Sequence, residues 1–398
     1  MKSFDVVIAG GAVMGSSTAY HVLADPGFKG SVLVIEKDMT YQRCASALSL
    51  ASIRQQFSSL VNIRISLYGI SFLKRAGEIL AVDGERQEIA FHEGGYLYLA
   101  SEDGRAILTE NQALQASEGA DILLLDRAAL TQRFHWLNLD GIALGTWGRS
   151  GEGWFDGWGL LQAFRRKARR LGAEYREGRV TGVERERDRI TAVALEDGSR
   201  IACGTFVDCA GASGGREIAA LVGAKLPVHQ KKRLVFSFIC RDEVKDCPLL
   251  IDTTGVYARP EGKPTREGQM YLCGASPPPE ADPDCDDFEV DFSFFEEFVW
   301  PALANRVPAF ERIKPGRAYA GHYDLNLLDH NAIVGRLGGT ANAYVALGFS
   351  GHGMQQSPAV GRGLSELIVH GGLKTLDLSA LAPERIEENR PLLERNVI

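Results

Sequence analysis

The chain has 398 residues, 45% of them hydrophobic and 24% charged, which excludes a disordered or low-complexity protein. Its 44 Lys and Arg against 51 Asp and Glu leave a formal charge of -7, which argues against a nucleic-acid-binding face. A chain of this length buries roughly 75% of its extended surface and divides into about two domains. The longest apolar runs are of strand length, short of the ~20 residues that span a bilayer, so no integral membrane segment is expected. Seven scattered cysteines with no CxxC pair argue against a disulfide framework or a thiolate zinc site. They fit a reducing, cytoplasmic setting.

The first elements carry the first motif. Phe4–Ala9 reads as an opening strand rather than a signal peptide. Gly10, Gly11, Ala12, Val13, Met14 and Gly15 follow as a glycine turn, and Ser16–Leu23 reads as a helix. A second strand, Ser31–Ile35, ends at Glu36 and Lys37. Strand, glycine turn, helix, strand and acid in this order predict a dinucleotide site. Gly10 permits the tight turn, Gly15 lets the helix lie close on the sheet, and the exposed N–H groups of the helix start cradle a pyrophosphate. Glu36 stands where an acid accepts hydrogen bonds from an adenosine ribose. The middle glycine of the fingerprint is replaced by Ala12, which costs some closeness of approach.

The run Gly10–Tyr20 resembles the start of the D-amino-acid oxidase superfamily of flavoproteins, which includes sarcosine oxidases, glycine oxidase and dimethylglycine dehydrogenase. The block Arg43–Phe57 is similar to that family's small-residue loop after the second strand. The resemblance implies FAD, with Ser46 near the ribityl or phosphate region and Ser52, Ile53, Arg54 and Gln55 near the isoalloxazine ring. From the residues alone, small side chains allow a backbone to approach a flat ligand, and Arg54 could hold an anion or sit on a helix surface.

In the middle of the chain, Gly94–Ala100 reads as a strand and Ser101–Ala116 as a helix. Leu160, Leu161, Phe164, Ala168 and Leu171 recur at helical spacing, with a basic run at 165–170 that reads as a solvated face. Hairpin strands are expected at Gly178–Val183 and Thr191–Leu195, then a strand from Thr205 towards Ala210 and Gly211. In the resembled family Val180 would touch the adenine, and Ala210 and Gly211 would pass the pyrophosphate. Strands at Leu234–Ile239, Gly255–Ala258 and Met270–Cys273 suggest a substrate sheet in which Tyr257 and Arg259 share a face. The basic run Lys231–Arg233 and the acidic loop 276–287 both read as solvated, and Phe288–Arg306 as one or two helices broken at Pro301.

The C-terminal block is the strongest. Arg317–Asn326 includes Gly321 and His322, and Ala343–Gly348 is a strand feeding Gly351, His352, Gly353, Met354 and Gln355 at the start of a helix. This is a second backbone cradle, aimed by resemblance at the flavin's pyrimidine carbonyl. Two such cradles fit an extended FAD. The segments around Gly321 and Gly351 look most like a branch that holds mitochondrial FAD-dependent oxidoreductase domain-containing proteins beside the sarcosine oxidases. The resemblance runs from Phe4 to about Gly372.

Where sarcosine oxidase attaches flavin through a cysteine this chain has His322, and the early loop has no histidine, so the FAD is expected to be noncovalent. The lysine that clamps the substrate carboxylate there is replaced by Gln355. These readings predict an α/β fold: a Rossmann-like FAD-binding domain (1–82, 151–226 and 312–382) interleaved with a substrate domain on a mixed, largely antiparallel sheet (83–150 and 227–311), and a tail at 383–398. The expected reaction oxidises the C–N bond of a small, anionic amino or N-methylated amino acid by hydride transfer to flavin N5. Arg54, Tyr257, His322, His352 and Gln355 are the candidate catalytic residues, and oxygen, a quinone or an electron-transfer protein is the acceptor. A 2-hydroxy-acid dehydrogenase and a flavin-binding assembly factor with little turnover are the alternatives.

Overall fold

The computed structural model describes residues 2–395; Met1 and residues 396–398 of the expected tail lie outside them. In chain order the strands are β1 (Lys2–Ala9), β2 (Val32–Glu36), β3 (Ser52–Ile53), β4 (Tyr96–Ala100), β5 (Ile122–Asp126), β6 (Leu144–Gly148), β7 (Gly153–Trp154), β8 (Glu174–Glu177), β9 (Val180–Glu186), β10 (Arg189–Leu195), β11 (Arg200–Asp208), β12 (Val228–Cys240), β13 (Leu249–Ile251), β14 (Tyr257–Thr265), β15 (Gly268–Gly274), β16 (Ile313–Asn326), β17 (Ile333–Arg336) and β18 (Ala343–Leu347). The helices are α1 (Val13–Ala24), α2 (Leu60–Ile79), α3 (Arg105–Ser117), α4 (Arg127–Arg133), α5 (Gly157–Arg170), α6 (Gly215–Val222), α7 (Phe292–Phe294), α8 (Trp300–Arg306), α9 (Gly353–His370) and α10 (Glu384–Glu387).

The fold is mixed α/β on two large sheets. The first has the order β17-β18-β11-β1-β2-β8, with the β9–β10 hairpin attached to β11. β1 pairs in parallel with both β2 and β11. Covered on both faces, its inner residues Val6, Val7, Ile8 and Ala9 are all buried, which is why they read as a continuous apolar run. The second sheet has the order β16-β12-β15-β14-β13-β4-β6-β5 and is largely antiparallel. β16 makes its hydrogen bonds in this second sheet, along most of β12, although it is contiguous in sequence with the cofactor segments.

Side-chain alternation on β12 divides the second sheet into two faces. Phe236, Phe238 and Cys240 pack against Phe295, Val299, Leu303 and Phe310, while Arg233 and Val235, of the opposite parity, face the central cavity. The segment behind this sheet differs from the expected helix broken at Pro301. It runs from Phe292 to Arg306 with a π-helical turn at Phe295–Val299, and Pro301 lies in the first turn of α8, where a missing N–H is least costly.

α1 and α9 cross at close range because their contact residues are small. A side chain on Gly361 would put its Cβ 2.3 Å from Ser17 Oγ, and that hydroxyl donates to the Ser357 carbonyl at 2.7 Å. This crossing brings both glycine-rich helix starts to the same cavity.

The basic run at 231–233 is not the solvated stretch expected, while the acidic loop keeps Glu280, Asp284, Asp286 and Asp287 exposed, as expected. Lys231 and Arg233 are buried. Arg233 pairs with Asp282 at 2.8 Å, Lys231 with Asp284 at 3.0 Å and Lys232 with Asp287 at 2.7 Å. The basic run and the acidic loop neutralise each other once β12 and the loop fold together. The basic face of α5 is largely solvated, as expected: Arg166, Arg169 and Arg170 are exposed, Arg170 pairing at the surface with Asp83 at 2.6 Å, while Arg165 lies 5.0 Å over the Tyr41 ring.

Candidate active site

A cavity of about 1390 Å³ runs from the carboxyl ends of β1, β2 and β11 to β12, β16 and the start of α9. At its first end, Gly10 adopts φ +92°, and a Cβ there would lie 2.3 Å from the Cys209 carbonyl oxygen. On Gly15 a Cβ would lie 1.8 Å from the Gly10 oxygen, and on Gly11 2.9 Å from the Tyr41 hydroxyl. Ala12 caps α1 without a side-chain hydrogen bond, so the N–H groups that follow Val13 in the first turn stay open to a ligand. The Val13 N–H reaches Ser46 Oγ at 3.3 Å. Glu36 accepts from the Gly11 N–H at 2.7 Å and the Asp38 N–H at 3.0 Å; burial pushes its carboxyl up. Lys37 reaches the Ser213 carbonyl at 3.0 Å. Ala12, Val13, Met14, Glu36, Lys37, Ser46, Val180, Ala210 and Gly211 all line the cavity.

The second cradle forms where β18 runs into α9. Gly348 and Gly351 have φ +69° and +91°, and a Cβ on Gly351 would lie 2.4 Å from the Tyr323 ring. Asp324, buried and pushed up to about 6, accepts from the Gly348 N–H at 2.9 Å and fixes that bend. Gly321, His322, Gly351, Gly353 and Met354 line the cavity beside it. The N–H groups of the first turn of α9 have no carbonyl one turn back, and the helix dipole adds positive potential there. An elongated cavity with a glycine-floored helix start at each end suits an extended dinucleotide.

The third feature is a knot of side chains around Arg54, which is only 5% exposed. Its backbone N–H donates to Gln355 Oε1 at 2.9 Å. Its guanidinium donates to the Tyr98 hydroxyl and, from Nη2, to His352 Nε2 at 3.0 Å. It also stacks 4.5 Å from the Phe57 ring. Because a guanidinium only donates, His352 Nε2 must carry a lone pair, so the ring is the neutral Nδ1–H tautomer. Burial and the neighbouring Arg54 push its titration well down. Arg54 Nε finds no partner among the described residues.

The other buried arginines each have a carboxylate. Arg233 pairs with Asp282, Arg259 with Glu261, Arg306 with Asp252 and Arg385 with Asp329. Among the described residues Arg54 has none.

The remaining sequence candidates are dispersed. His322 Nε2 lies 2.8 Å from the Asp287 carbonyl, and its ring packs edge-on against Phe288 at 4.4 Å. It therefore holds the acidic loop and is not among the contacts of Arg54. Tyr257 lines the cavity, and burial pushes its hydroxyl well up. Arg259 donates to the Leu50 carbonyl at 2.9 Å and so pins the early loop. Ser52 and Ile53 pair with Trp154 and Gly153 in a two-stranded ribbon, while Ala45, Ser46, Leu48, Ser49 and Leu50 form the cavity wall. Tyr98, Phe57, Asp324 and Glu152 went unnoticed in sequence; the alternation Tyr96-Leu-Tyr98 on one strand was the available signal for the tyrosines.

Fold and cavity together define an FAD-dependent oxidoreductase, and the chain belongs to the DAO family, described as FAD dependent oxidoreductase, whose profile matches residues 5–367. The chain is 43% identical over 426 residues to FAD-dependent oxidoreductase domain-containing protein 1 of Xenopus laevis, covering 99% of this chain and 85% of that protein. It is 25% identical to 4-methylaminobutanoate oxidase (formaldehyde-forming) of Paenarthrobacter nicotinovorans, covering 98% of this chain and 46% of that protein. Among solved structures, L-proline dehydrogenase from P. horikoshii superposes with a TM-score of 0.83 at 25% identity, covering 97% of this chain and 98% of that one. No helix among the described residues is long and apolar enough to cross a membrane.

Proposed function

We propose that the protein oxidises the C–N bond of a small amino or N-methylated amino acid whose carboxylate is held by Arg54. The observation that carries this reading is the buried Arg54 guanidinium, which lacks, among the described residues, the carboxylate partner that every other buried arginine has. A buried, unpaired guanidinium is strongly destabilising unless a ligand completes it. The relatives acting on L-proline and 4-methylaminobutanoate support an amine and a carboxylate in one small molecule.

The glycines at positions 10, 11, 15 and 351, the open start of α1, Glu36 and the small residues 45–50 fit FAD. When bound, FAD supplies a two-electron acceptor for the hydride leaving the carbon beside nitrogen. The chain's own residues do the rest. Gln355 fixes the backbone of Arg54, Tyr98 and Phe57 fix its guanidinium, and the start of α9 offers backbone N–H groups and a positive dipole to negative charge in the cavity. The division of labour follows the sheets: the first sheet with α1 and α9 serves as the cofactor layer, and the cavity face of the second sheet as the substrate layer.

His352 is already neutral, but its Nε2 lone pair is engaged by Arg54. This disfavours a 2-hydroxy-acid substrate, which needs a base for the alcohol proton, whereas a neutral amine does not. The FAD is noncovalent in this reading, since His322 is engaged with the 287–288 segment; acid precipitation is expected to leave the yellow colour in the supernatant, and flavin retained on the polypeptide overturns that part.

The test is an anaerobic absorbance titration of the holoprotein with L-proline, sarcosine, other N-methylamino acids and 2-hydroxy acids. Bleaching by the amino-acid class alone is the expected result. Bleaching only by 2-hydroxy acids overturns the assignment, and a flavin that none of these compounds reduces moves weight to the assembly-factor alternative.

A further inference from the structure

Behind Arg54 lies a carboxylate that the proposed reaction does not use. Glu152 is 0% exposed and sits between two glycines just before β7. Its Oε1 accepts the backbone N–H of Gln55, the residue next to Arg54. Its Oε2 accepts from Gln56 Nε2 at 2.8 Å, and Gln56 is in turn fixed by the Thr146 hydroxyl at 2.6 Å. The niche is built for this side chain: a Cβ on Gly148 would lie 1.7 Å from Glu152 Oε2.

Both donors to Glu152 are neutral, and no ion pair reaches it among the described residues. The charged and titratable groups that face it are Arg54 at the end of β3 and Tyr96 and Tyr98 on β4. His352 on α9 faces Arg54 from the other side. A fully buried carboxylate and a fully buried guanidinium thus lie on either side of the 54–55 peptide without touching. Arg54 is the cation that favours the ionised form of Glu152.

We propose that Glu152 is the proton-coupled counter-charge of the Arg54 pocket: the Arg54 charge favours its carboxylate form while the pocket is empty, and it takes up a proton from solvent when a substrate carboxylate neutralises Arg54. Burial pushes this carboxyl up to about 7; the hydrogen bonds from Gln55 and Gln56 pull it back down, and the charge of Arg54 adds to that pull. An anion on Arg54 cancels that charged part of the pull, so the balance shifts towards the carboxylic acid. By linkage, the affinity for an anionic ligand is constant below the free protein's value, falls as pH rises from there towards the complex's higher value, and levels off above the latter. The device excludes a second buried negative charge from the site and favours substrates bearing a single carboxylate.

This proposal rests on the reading of Arg54 as the carboxylate site, and the experiment separates the two. Acetate is titrated into the holoprotein from pH 5 to pH 9. Binding is read from the perturbed flavin absorbance, and proton uptake from a pH indicator in weakly buffered solution. The wild type is expected to take up a large fraction of one proton per acetate at pH 7–8 and almost none at pH 5, with a dissociation constant that rises about 5-fold or more across the range. Glu152→Gln is expected to bind acetate without proton uptake and with a flat pH dependence. Gln56→Met, which removes one donor from the carboxylate, shifts the uptake window to higher pH and serves if the first variant fails to fold.

Acetate binding that depends on Arg54 but brings no proton overturns the role of Glu152 alone. Unchanged uptake in Glu152→Gln does the same and points to His352. No acetate binding in the wild type overturns both readings.

Discussion

Arg54 Nη2 lies 3.0 Å from His352 Nε2, and this contact dictates the charge of both groups. The imidazole accepts, so it is neutral, and among the described residues the guanidinium has no carboxylate partner. Replacing Arg54 with Gln removes the charge that would hold a substrate carboxylate. Charged hydrogen bonds of this kind contribute about 1.5–3 kcal/mol, so acetate affinity is expected to fall by roughly one to two orders of magnitude. The amount of flavin bound is expected to stay unchanged, because the cavity wall is formed by other residues. A flavin content that falls together with acetate affinity would show a structural role instead.

Two buried groups give opposite pH slopes to stability. His21 is fully buried, and burial lowers it to about 4 from the ordinary 6.5. Its contribution is whole above 6.5 and is lost as pH falls towards 4. Glu152 is raised to about 7 from 4.5. Its contribution is whole below 4.5 and is lost as pH rises through 7. Removing only the second term is therefore expected to favour the variant at high pH. Glu152→Gln should gain on the wild type by about 3 kcal/mol between pH 4.5 and pH 7.5. Urea unfolding at both pH values measures the difference, and a gap that does not change with pH contradicts the raised carboxyl.

The parts of the site that were legible in sequence are those set by neighbours along the chain. Gly10 and Gly15 lie within one turn, Glu36 ends the next strand, and Gly351 and Gly353 open α9, so spacing alone marked both cradles. The parts that were not legible are made by tertiary meetings. Tyr98 reaches Arg54 across 44 residues and Glu152 reaches Gln55 across 97. Gln355 stood out by its place in the motif, but its task did not, because its Oε1 caps a backbone N–H 301 residues away. Lys231–Arg233 and Asp282–Asp287 each resemble a solvated run when read alone. Only the pairing of β12 with the folded-back loop turns them into ion pairs.

The backbone cradles predict which substitutions empty the protein of cofactor. Alanine at Gly15 would place Cβ 1.8 Å from the Gly10 carbonyl oxygen, so α1 must move off the sheet. Gly15→Ala is expected to purify with little or no FAD. Gly351→Ala meets the Tyr323 ring, a side chain with some freedom to move, at a positive φ of +91°; it is expected to bind FAD less tightly but measurably. The ratio of flavin to protein absorbance after gel filtration reads both outcomes. Full occupancy in Gly15→Ala is incompatible with the close helix approach described above.

The C-terminal segment, which carries no motif, is stitched to the two elements that hold the Arg54 knot. Glu394 accepts from the Ser58 N–H and Ser58 hydroxyl, each at 2.7 Å, from Asn62 Nδ2 at 2.6 Å and from the Ser59 hydroxyl. Ser59 does not cap α2 with its own side chain, so the Glu394 carboxylate supplies the negative charge that a helix start favours. Asn62 then accepts from Gln356 Nε2 at 3.0 Å, linking α2 to the first turn of α9. Glu394→Ala leaves these donors without their acceptor, at about 1–3 kcal/mol for each one kept from water. Faster amide hydrogen exchange is expected at residues 58–63 and 353–357, with β1 unaffected, and acetate affinity should weaken because the start of α9 carries His352 and Gln355. Glu394→Gln retains one carbonyl acceptor and should fall between the wild type and the alanine variant. Faster exchange confined to residues beyond 390 would show that the latch holds only itself.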